Sequence, residues 1–522
     1  MFENESTLSK TLMQKGEEAF DAKYEDAVLR VKEELGKTYP MIIDGKPVTT
    51  GGAFAVLSPI DARIVVAHFP IGQEEHAKSA IAAARKAFQH WSRTDYRERV
   101  RIFRNAADIM SKRKYELSAL LSFENGKNRY EAIGDVDEAI DFMRYYAEQM
   151  ELNNGFVKQM KSAYPEEKNR SIMKPYGVWA VIAPFNFPIA ITDGMCTGAI
   201  ITGNTVVLKP ASDTPLISYK FCEILEEAGL PPGVINLVTG AGSVVGKALV
   251  ESEDIDGISF TGSKEVGLSI YRTANSKRPK PVITEMGSKN PALVTKNVDL
   301  DKAVDGVLKA AFGYSGQKCS ACSRVYVHES LKEEFVNRLV KRTSELTVGN
   351  PLNRNNFLGP LMNESAYEKY KKYTDIARKD GQVLTGGNVI ADGELKYGYY
   401  VRPTIVDKLP KDHTLFKEEM FVPILCVADY KEFGEAIKLC NDVDYGLTAG
   451  IFSNDQNEIN EFLDKIEAGV VYVNRARSAT TGAMVGCQPF VGWKNSGISG
   501  KGTGSEYYLT LFMKEQSQTI CD

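Results

Sequence analysis

The sequence predicts an α/β protein built on a mostly parallel sheet, and three observations indicate this fold class. Between residues 176 and 286, short apolar segments alternate with segments that have the apolar period of a helix. The short segments are continuously apolar, which is typical of strands covered by helices on both faces. A second stretch, from 301 to about 470, repeats the alternation, so the 522 residues are expected to form two or three domains.

The segments before the first sheet are predicted to be helical. The first forty residues are charged and are expected to form a helical extension. Two amphipathic helices follow, over residues 74–93 and 98–124. Their apolar faces consist of Ala77, Ile81, Ala84, Phe88 and Trp91 in the first helix and of Val100, Phe103, Ala107, Leu117 and Leu121 in the second.

Five strands and three helices are predicted in the central region. The strands cover residues 177–182, 205–208, 234–238, 257–260 and 281–284. The helices cover about 215–228, 243–252 and 264–273, and Gly229 ends the first of them. Because ligands of such sheets bind beyond the carboxyl ends of the strands, residues at those ends are candidates for a binding site.

The second region has the same character. Helices are predicted at 303–312, 331–346, 364–380 and 432–441, and strands at 325–327 and 469–473. A polar segment at about 154–174 precedes the first sheet and is expected to form a two-stranded excursion.

Composition excludes several classes of protein. The net charge of −4 and the scattered basic residues argue against a nucleic-acid partner. No stretch approaches ~20 apolar residues, and the acidic, polar N-terminus lacks the pattern of a signal peptide, so no membrane partner is expected. The eight cysteines are scattered, which fits a reducing compartment, and a cytoplasmic location is the default expectation.

One cysteine stands in a context that suggests chemistry. Cys319 follows Gly316-Gln317-Lys318, while Glu285 and Asn186 lie upstream. A thiol, a carboxylate and an amide are a nucleophile, a base and an oxyanion donor, which together suggest acyl chemistry through a covalent sulfur intermediate. A thiol needs activation to react at neutral pH. The adjacent Lys318 and the more distant Glu285 are the candidate activating groups.

Other interpretations of Cys319 stay open at this point. It could be an inert buried cysteine, or one half of a Cys-x-x-Cys pair with Cys322 that binds zinc or acts as a redox dithiol. No second cysteine pair or suitable histidine pair lies nearby, which argues against zinc. None of the five histidines is in a motif with a nucleophile, so a carboxylate is the natural general base.

Three strand ends carry residues that could bind a nucleotide. Phe260-Thr261-Gly262-Ser263 and Gly240-Ala241-Gly242 each follow a strand and precede a helix, where backbone amides could hold a pyrophosphate. Lys209 ends a third strand and could meet a phosphate or a ribose hydroxyl. Alternatively, the glycines only form turns and Lys209 is a solvated surface residue.

Six ordered motifs together resemble the aldehyde dehydrogenase superfamily, over nearly the whole chain from about residue 40. They are Pro184–Pro188, Leu208–Ser212, Phe260–Gly267, Glu285–Gly287, Gly316–Cys319 and Glu419–Phe421. The resemblance implies an aldehyde dehydrogenase-like fold: a Rossmann-type nucleotide-binding domain, an α/β catalytic domain and a small β bridging element. The implied boundaries are 1–153 and 175–286 for the first, 287–484 for the second, and 154–174 with 485–522 for the third.

The resemblance also implies a mechanism and a cofactor. Cys319 attacks an aldehyde to give a thiohemiacetal, Asn186 and the Cys319 backbone N–H hold the oxyanion, and Glu285 activates the water that hydrolyses the later thioester. The expected cofactor is NAD, with tolerance of NADP because Ser212 stands where many NAD-preferring relatives carry a glutamate. The implied cofactor-binding residues are Ile182, Lys209, Ser212, Gly242, Gly246, Phe260, Thr261, Gly262, Ser263, Glu419 and Phe421.

Within the superfamily, the chain resembles the branch that oxidises L-glutamate γ-semialdehyde, the open form of Δ1-pyrroline-5-carboxylate, to glutamate in proline degradation. The motifs are Gly316–Ala321, Thr481–Gly486 and Gln488–Phe490. In that branch, residues matching Ser320, Gly482 and Ala483 hold the α-carboxylate and amine of the substrate. A zwitterionic substrate needs hydroxyl and backbone donors of this kind.

Three departures from the family pattern lie near the expected site. Residues 476–480 form a longer insert than usual, and Val422 and Val491 replace usual glycines. Arg477 is interpreted as a solvated loop residue, with a second carboxylate contact as the alternative.

Two rival functions remain: a dehydrogenase for another small aldehyde, such as succinate semialdehyde or glyceraldehyde, and an inactive binding or structural member. A homo-oligomer, a dimer or a dimer-based assembly, is also expected. Tyr507–Phe512 has the β-rich character of a strand that adds to a neighbour's sheet.

Overall fold

Two seven-stranded sheets form the centre of the protein. The computed structural model describes residues 2–5 and 16–521. In spatial order, the strands of the first sheet are Val282–Glu285, Gly257–Thr261, Val178–Ile182, Thr205–Lys209, Ile235–Leu237, Met41–Ile43 and Lys46–Val48. The first five strands run parallel and were all predicted from the sequence, whereas the last two are an antiparallel hairpin added at one edge.

Both faces of the first sheet are buried, as its continuously apolar strands predict. In the strand Val178–Ile182, Val178 and Ala180 belong to one hydrophobic cluster, whereas Trp179 and Val181 belong to another on the opposite face. Successive side chains of a strand point to opposite faces, so a strand buried on both sides must be apolar throughout.

The second sheet has the same construction. Its strands, in spatial order, are Gln382–Thr385, Thr404–Asp407, Ile424–Tyr430, Cys322–His328, Asn290–Val294, Thr448–Phe452 and Val470–Val473. All pairs are parallel except the edge pair Gln382–Thr385 with Thr404–Asp407. Leu293 and Tyr326 pack into one cluster and Ala292 and Val325 into another, so both faces are again covered.

Helices surround these sheets, and the amphipathic segments of the sequence predict most of them. The described α-helices are Glu17–Glu34, Glu74–Trp91, Tyr96–Asn125, Arg129–Leu152, Ala190–Ile201, Pro215–Glu227, Lys247–Glu251, Lys264–Ala274, Leu300–Phe312, Lys332–Ser344, Glu364–Asp380, Thr414–Lys417, Phe433–Asn441 and Gln456–Lys465. The helix predicted at 243–252 is instead a π-turn, Gly242–Gly246, followed by a short α-helix. Of the helical extension predicted for the first forty residues, 6–15 lie outside the described residues.

Three small sheets complete the fold. Lys37–Thr38, Asp61–Pro70 and Ala53–Ser58 form one, and Tyr445–Gly446 pairs with Trp493–Lys494 in another. In the third, Glu167–Pro175 lies between Val157–Gln159 and Met513–Cys521, so the predicted two-stranded excursion exists and gains a third strand.

The strand predicted at Tyr507–Phe512 is wrong. Tyr508–Phe512 is a 3-10 turn, and the strand begins only at Met513. The turn is buried because its aromatic residues pack inside this chain: Phe512 lies 4.6 Å from Trp179 and Tyr508 stacks on Tyr146, measured between ring centroids. The β-rich composition of the segment therefore reflects core packing.

Within the described part of the chain, no helix combines the length and the apolar character that crossing a membrane requires.

Candidate active site

The first sheet brings several predicted site residues to one edge. Glu285, Thr261, Ile182 and Lys209 are each the last residue of a parallel strand. The strand register places Thr261 opposite Glu285, and Ile182 opposite Lys209. These residues therefore line the carboxyl edge of the sheet, where ligands of such folds bind.

Cys319 stands in a tight turn that ends the helix Leu300–Phe312. Tyr314, Ser315 and Gly316 all have positive φ, and Gly316 (φ 70°) approaches the backbone of another segment. A Cβ at Gly316 would lie 2.7 Å from the carbonyl oxygen of Val422, so only glycine fits without displacing that segment. Cys319 follows this turn by three residues and is half-buried.

The backbone around Cys319 is held by side chains that the sequence did not indicate. Asn290 Nδ2 donates hydrogen bonds to the carbonyl oxygens of Cys319 (2.8 Å) and Ala321 (3.0 Å), and Ser288 Oγ also donates to Cys319. The hydroxyl of Thr480 donates to the carbonyl oxygen of Ser320 (2.6 Å). The nucleophile segment is therefore fixed by buried hydrogen bonds from strand and insert residues.

The thiol of Cys319 lies in an acidic environment. Burial raises its pKa to about 12, and the charges of Glu419, Glu285 and Glu138 act in the same direction, whereas the N–H of Ser320 opposes them. Lys318, suggested by the sequence as an activating cation, pairs instead with Glu131 at 2.6 Å. Without other molecules bound, the thiol is protonated, and its reaction requires a base.

Glu285 has the properties of a general base, and the role expected for it is to activate the water that hydrolyses the thioester. Burial raises the pKa of its carboxyl well above the usual range, and the N–H of Gly492 donates a hydrogen bond to it. Its second oxygen, Oε2, is buried without a hydrogen-bond partner among the described residues. A raised pKa makes a carboxylate a stronger base, and Oε2 is available to accept a proton.

Asn186 and Phe421 come together where the two sheets meet. Asn186 is buried in the loop that follows the strand Val178–Ile182. Its neighbour Phe185 packs edge-on against Phe421, with ring centroids 5.9 Å apart. Phe421 has a positive φ (57°), so the backbone turns sharply to bring this ring to the loop of the first sheet.

Two of the predicted cofactor-binding elements, Lys209 and the π-turn Gly242–Gly246, lie close together. The ammonium of Lys209 is buried, and it donates to the carbonyl oxygen of Pro210 (2.9 Å). A Cβ at Gly246 would lie 3.6 Å from Lys209 Cδ, so the π-turn Gly242–Gly246 packs against this lysine. Burial lowers the pKa of Lys209 to about 8, and an anionic or hydroxyl-rich ligand would favour its charged form.

A helix N-terminus and a carboxylate are two more of the predicted cofactor-binding elements. Ser263 caps the eleven-residue helix Lys264–Ala274 by accepting a hydrogen bond from the N–H of Val266 (3.5 Å), directly after the strand that ends at Thr261. Its amide groups suit a pyrophosphate. Glu419 accepts a hydrogen bond from the N–H of Ser288 (2.8 Å), and burial raises its pKa to about 7.

The residue after Ser212 is a further acidic group that the sequence reading overlooked. Ser212 itself is exposed. Asp213 accepts a hydrogen bond from Asn363 (2.9 Å); burial raises its pKa, while the charge of Lys209 opposes the rise. A carboxylate therefore lies near Lys209, the residue predicted to bind a ribose. It comes from position 213, whereas many NAD-preferring relatives carry a glutamate at the position of Ser212.

The predicted substrate residues lie on two segments. Ser320 is buried next to Cys319, whereas Gly482 is exposed and Ala483 half-buried. Arg475 donates hydrogen bonds to the carbonyl oxygens of Thr481 and Gly482, the latter at 2.9 Å. This contact holds the start of the loop in place.

The three departures from the family pattern have structural explanations. In the insert 476–480, Ser478, Ala479 and Thr480 are buried. The side chain of Val422 packs in the core of the second sheet. Val491 brings its backbone close to Gly469, where a Cβ would lie 2.0 Å from the Val491 oxygen.

Arg477 in this insert is exposed, which agrees with the solvated role expected for it.

The helix Arg129–Leu152 supplies acidic residues that sequence reasoning missed. Glu131 pairs with Lys318, and Asp135 pairs with the fully buried Lys127 at 2.7 Å. Burial raises the pKa of Glu138 to about 8, and its charge acts on Cys319. The positions 131, 135 and 138 are four and three residues apart, so acidic residues at helical spacing were the available signal.

The parallel sheet, the half-buried Cys319 and the nearby carboxyl of Glu285 fit the class of NAD-dependent oxidoreductases. The model of the aldehyde dehydrogenase family matches residues 48–517, and the chain belongs to this family.

Its similarity to individual proteins is also extensive. The chain is 40% identical to a 1-pyrroline-5-carboxylate dehydrogenase of a Geobacillus species over 505 residues, 96% of each chain. Among solved structures, it resembles 1-pyrroline-5-carboxylate dehydrogenase from Thermus with bound NAD, with a TM-score of 0.92, 39% identity and 96% of each chain covered. It also resembles betaine aldehyde dehydrogenase from Staphylococcus aureus in complex with NAD+, with a TM-score of 0.89 and 29% identity over 96% of this chain and 97% of the other.

Proposed function

We propose that the protein oxidises L-glutamate γ-semialdehyde to L-glutamate with NAD as its cofactor, as a step of proline degradation. The substrate follows from the near-full-length identity with 1-pyrroline-5-carboxylate dehydrogenases, which exceeds the identity with a betaine aldehyde dehydrogenase by about ten percentage points. The chemistry rests on one observation: a cysteine in a fixed turn lies within electrostatic reach of a buried carboxylate with a raised pKa, Glu285.

The first chemical step forms a bond between Cys319 and the substrate. A base accepts the thiol proton, and the sulfur attacks the aldehyde carbon to give a thiohemiacetal. The oxygen that gains charge would be held by the side-chain amide of Asn186 and the backbone N–H of Cys319. One such donor contributes roughly 10²–10³ in rate.

The later step releases the product. Bound NAD supplies the acceptor for the hydride that leaves the substrate carbon, which becomes a thioester carbonyl. Glu285 accepts a proton from a water molecule, whose oxygen attacks the thioester. The carbon–sulfur bond then breaks, glutamate leaves and Cys319 is restored.

The cofactor would lie along the carboxyl edge of the first sheet. Lys209 and Glu419 are placed to meet the two riboses, and the N-terminus of the helix Lys264–Ala274 and the π-turn Gly242–Gly246 are placed to meet the pyrophosphate. Ile182, Ser212, Phe260, Thr261, Gly262 and Ser263 complete this surface. Phe421 would lie beside the nicotinamide.

The substrate would extend from Cys319 towards Ser320, Gly482 and Ala483. A hydroxyl and backbone N–H groups suit the α-carboxylate of the semialdehyde. Succinate semialdehyde and glyceraldehyde are the competing substrates, and a panel of aldehydes followed by NADH absorbance would separate them. An inactive binding protein is disfavoured by the intact Cys319 and Glu285.

Two variants test the mechanism. Cys319→Ala should lower turnover by about 10³-fold or more, because the covalent path is lost. Glu285→Gln should form the thioester and then stall, giving a burst of about one NADH per active site in rapid-mixing kinetics. Cys521→Ala, which changes an exposed thiol on the C-terminal strand, is the matched control. Normal turnover in Cys319→Ala would contradict the mechanism.

The choice between the two cofactors is a separate prediction. NADP should support turnover, since no glutamate stands at Ser212, but Asp213 near Lys209 should make it less efficient than NAD. Comparing kcat/KM for NAD and NADP in the native protein and in Asp213→Asn measures this effect. Complete inactivity with NADP would refute the tolerance.

A dimer or a dimer-based assembly and a cytoplasmic location are part of the proposal. Among the described residues, the edge strand Met513–Cys521 has a partner on only one side, which favours pairing with a second copy. The eight free thiols favour a reducing compartment.

A further inference from the structure

The N-terminal residues 2–5 lie against the loop that carries two of the proposed substrate contacts. This loop, residues 481–487, is called the anchor loop below because Gly482 and Ala483 belong to it.

Three contacts join the N-terminal residues to the anchor loop. Asn4 Nδ2 donates a hydrogen bond to the carbonyl oxygen of Val485 (2.9 Å), and Cys487 Sγ donates to Asn4 Oδ1 (3.2 Å). The ring of Phe2 covers Gly486 so closely that a Cβ on this glycine would lie 3.0 Å from it. The amide nitrogen and the amide oxygen of the buried Asn4 therefore both form hydrogen bonds with this loop.

The N-terminal residues are themselves firmly held. The buried Glu5 accepts hydrogen bonds from Lys114 (2.9 Å) and Arg144 (2.6 Å). Asn4 Nδ2 also donates to Asp141 (3.1 Å), and Phe2 packs edge-on against Tyr145. These partners belong to two long helices, so the segment ties the anchor loop to a rigid part of the fold.

The opposite end of the anchor loop is fixed independently. Arg475 donates hydrogen bonds to the carbonyl oxygens of Thr481 and Gly482. At the end that the N-terminal residues contact, the Gly486 N–H also donates to the Gly504 carbonyl oxygen (3.0 Å). Gly482 and Ala483 therefore lie between a clamp from Arg475 and a clamp from the N-terminal residues. A loop held at both ends presents its N–H groups to a ligand with less ordering entropy to lose.

We propose that residues 2–5 act as a strap that positions the anchor loop to receive the α-carboxylate and α-amino end of the substrate. The inference rests on the proposed function, because it assigns this end of the semialdehyde to Gly482 and Ala483. Phe2 and Asn4 are positioning residues that act through Val485, Gly486 and Cys487. The strap thus contributes to specificity for an aldehyde that carries charged groups, and leaves the reaction at Cys319 unaffected.

Steady-state kinetics of two strap variants test the proposal. In Asn4→Ala and Phe2→Ala, the KM for L-glutamate γ-semialdehyde should rise about 3–10-fold, the range expected for one lost hydrogen bond or apolar contact, while kcat changes less than about twofold. Propanal lacks the charged end, so its kcat/KM should stay unchanged. Glu3→Ala is the matched control, since this residue lies between the two and its side chain is exposed.

Hydrogen exchange of the anchor loop gives a second readout that does not depend on activity. Peptides covering residues 481–487 should exchange about tenfold faster in Asn4→Ala than in the native protein or in Glu3→Ala, because local opening becomes easier. An unchanged KM in both strap variants, or equal losses with propanal and the semialdehyde, would overturn the strap. If instead the native protein fails to oxidise the semialdehyde, the proposed function fails, and this is seen before any variant is made.

Discussion

At the residue scale, the site is organised around the thiol of Cys319, whose pKa is raised by its surroundings. Burial and the carboxylates of Glu419, Glu285 and Glu138 raise the pKa of Cys319 to about 12. Burial also raises the pKa of Glu285, and the charge of this carboxylate disfavours a second negative charge on the sulfur. This arrangement protects the sulfur from oxidation, because the thiolate is the reactive form.

The raised pKa predicts a steep pH dependence of Cys319 alkylation. With a pKa of about 12, the thiolate fraction is far below saturation at pH 7–9, so the rate constant for iodoacetamide should rise about tenfold for each pH unit across that range. Mass spectrometry of the modified peptide in cofactor-free protein measures the rate, and Cys319→Ser identifies the signal. A rate that levels off near pH 8 would contradict the raised pKa.

The sequence offered candidates for the reacting residues but none for the residues that support them. Cys319, Glu285 and Asn186 were candidates because thiol, carboxylate and amide form a known chemical set, and their roles stay predictions. Asn290 and Glu138 gave no such signal, since a hydrogen bond to the Cys319 carbonyl or a charge near its sulfur arises only when distant segments meet. Residues that approach Cys319 only after the chain has folded leave no local pattern in the sequence.

At the element scale, periodicity predicted the strands and helices wherever one pattern extended over a whole element. The five parallel strands of the first sheet were found because strands buried on both faces are apolar throughout. The strand predicted at Tyr507–Phe512 was wrong because strands and buried turns can both consist of a short, mostly apolar run such as Tyr508–Phe512. Only its packing against Trp179 and Tyr146 decides between them.

This buried turn should contribute strongly to stability. Phe512 contacts Trp179 on one face of the first sheet, so Phe512→Ala should lower the free energy of unfolding by about 3–5 kcal/mol, the usual range for a buried phenylalanine. Tyr507→Ala, at an exposed ring in the same segment, should change it by less than about 0.5 kcal/mol. Denaturant titration followed by tryptophan fluorescence measures both, and equal effects would contradict the packing argument.

At the scale of the whole molecule, the site exists only because two sheets meet. Glu285 and Lys209 end strands of the first sheet, whereas Glu419 precedes a strand of the second. Phe185 and Phe421 pack across the boundary between them. Sequence patterns predict each sheet but not how they are joined, so the arrangement of the site followed from the family resemblance.

The C-terminal strand makes a prediction about assembly. Met513–Cys521 pairs with Glu167–Pro175 along one edge, and most of its side chains are exposed. No other strand of the described residues pairs with its second edge, so we expect the native protein to have twice the mass of one chain, or a multiple of that mass, by light scattering after gel filtration.

Proline substitutions on this strand test whether its free edge makes the dimer. Successive residues direct their N–H groups to opposite edges, so one of Ser517→Pro and Gln518→Pro removes a donor from the free edge and the other removes one from the edge paired with Glu167–Pro175. The free-edge variant should become monomeric while its melting temperature changes little, because its own ladder stays intact. The other variant should lose stability within the chain. If both variants keep twice the mass of one chain, the strand does not join the subunits, and the assembly depends on another surface.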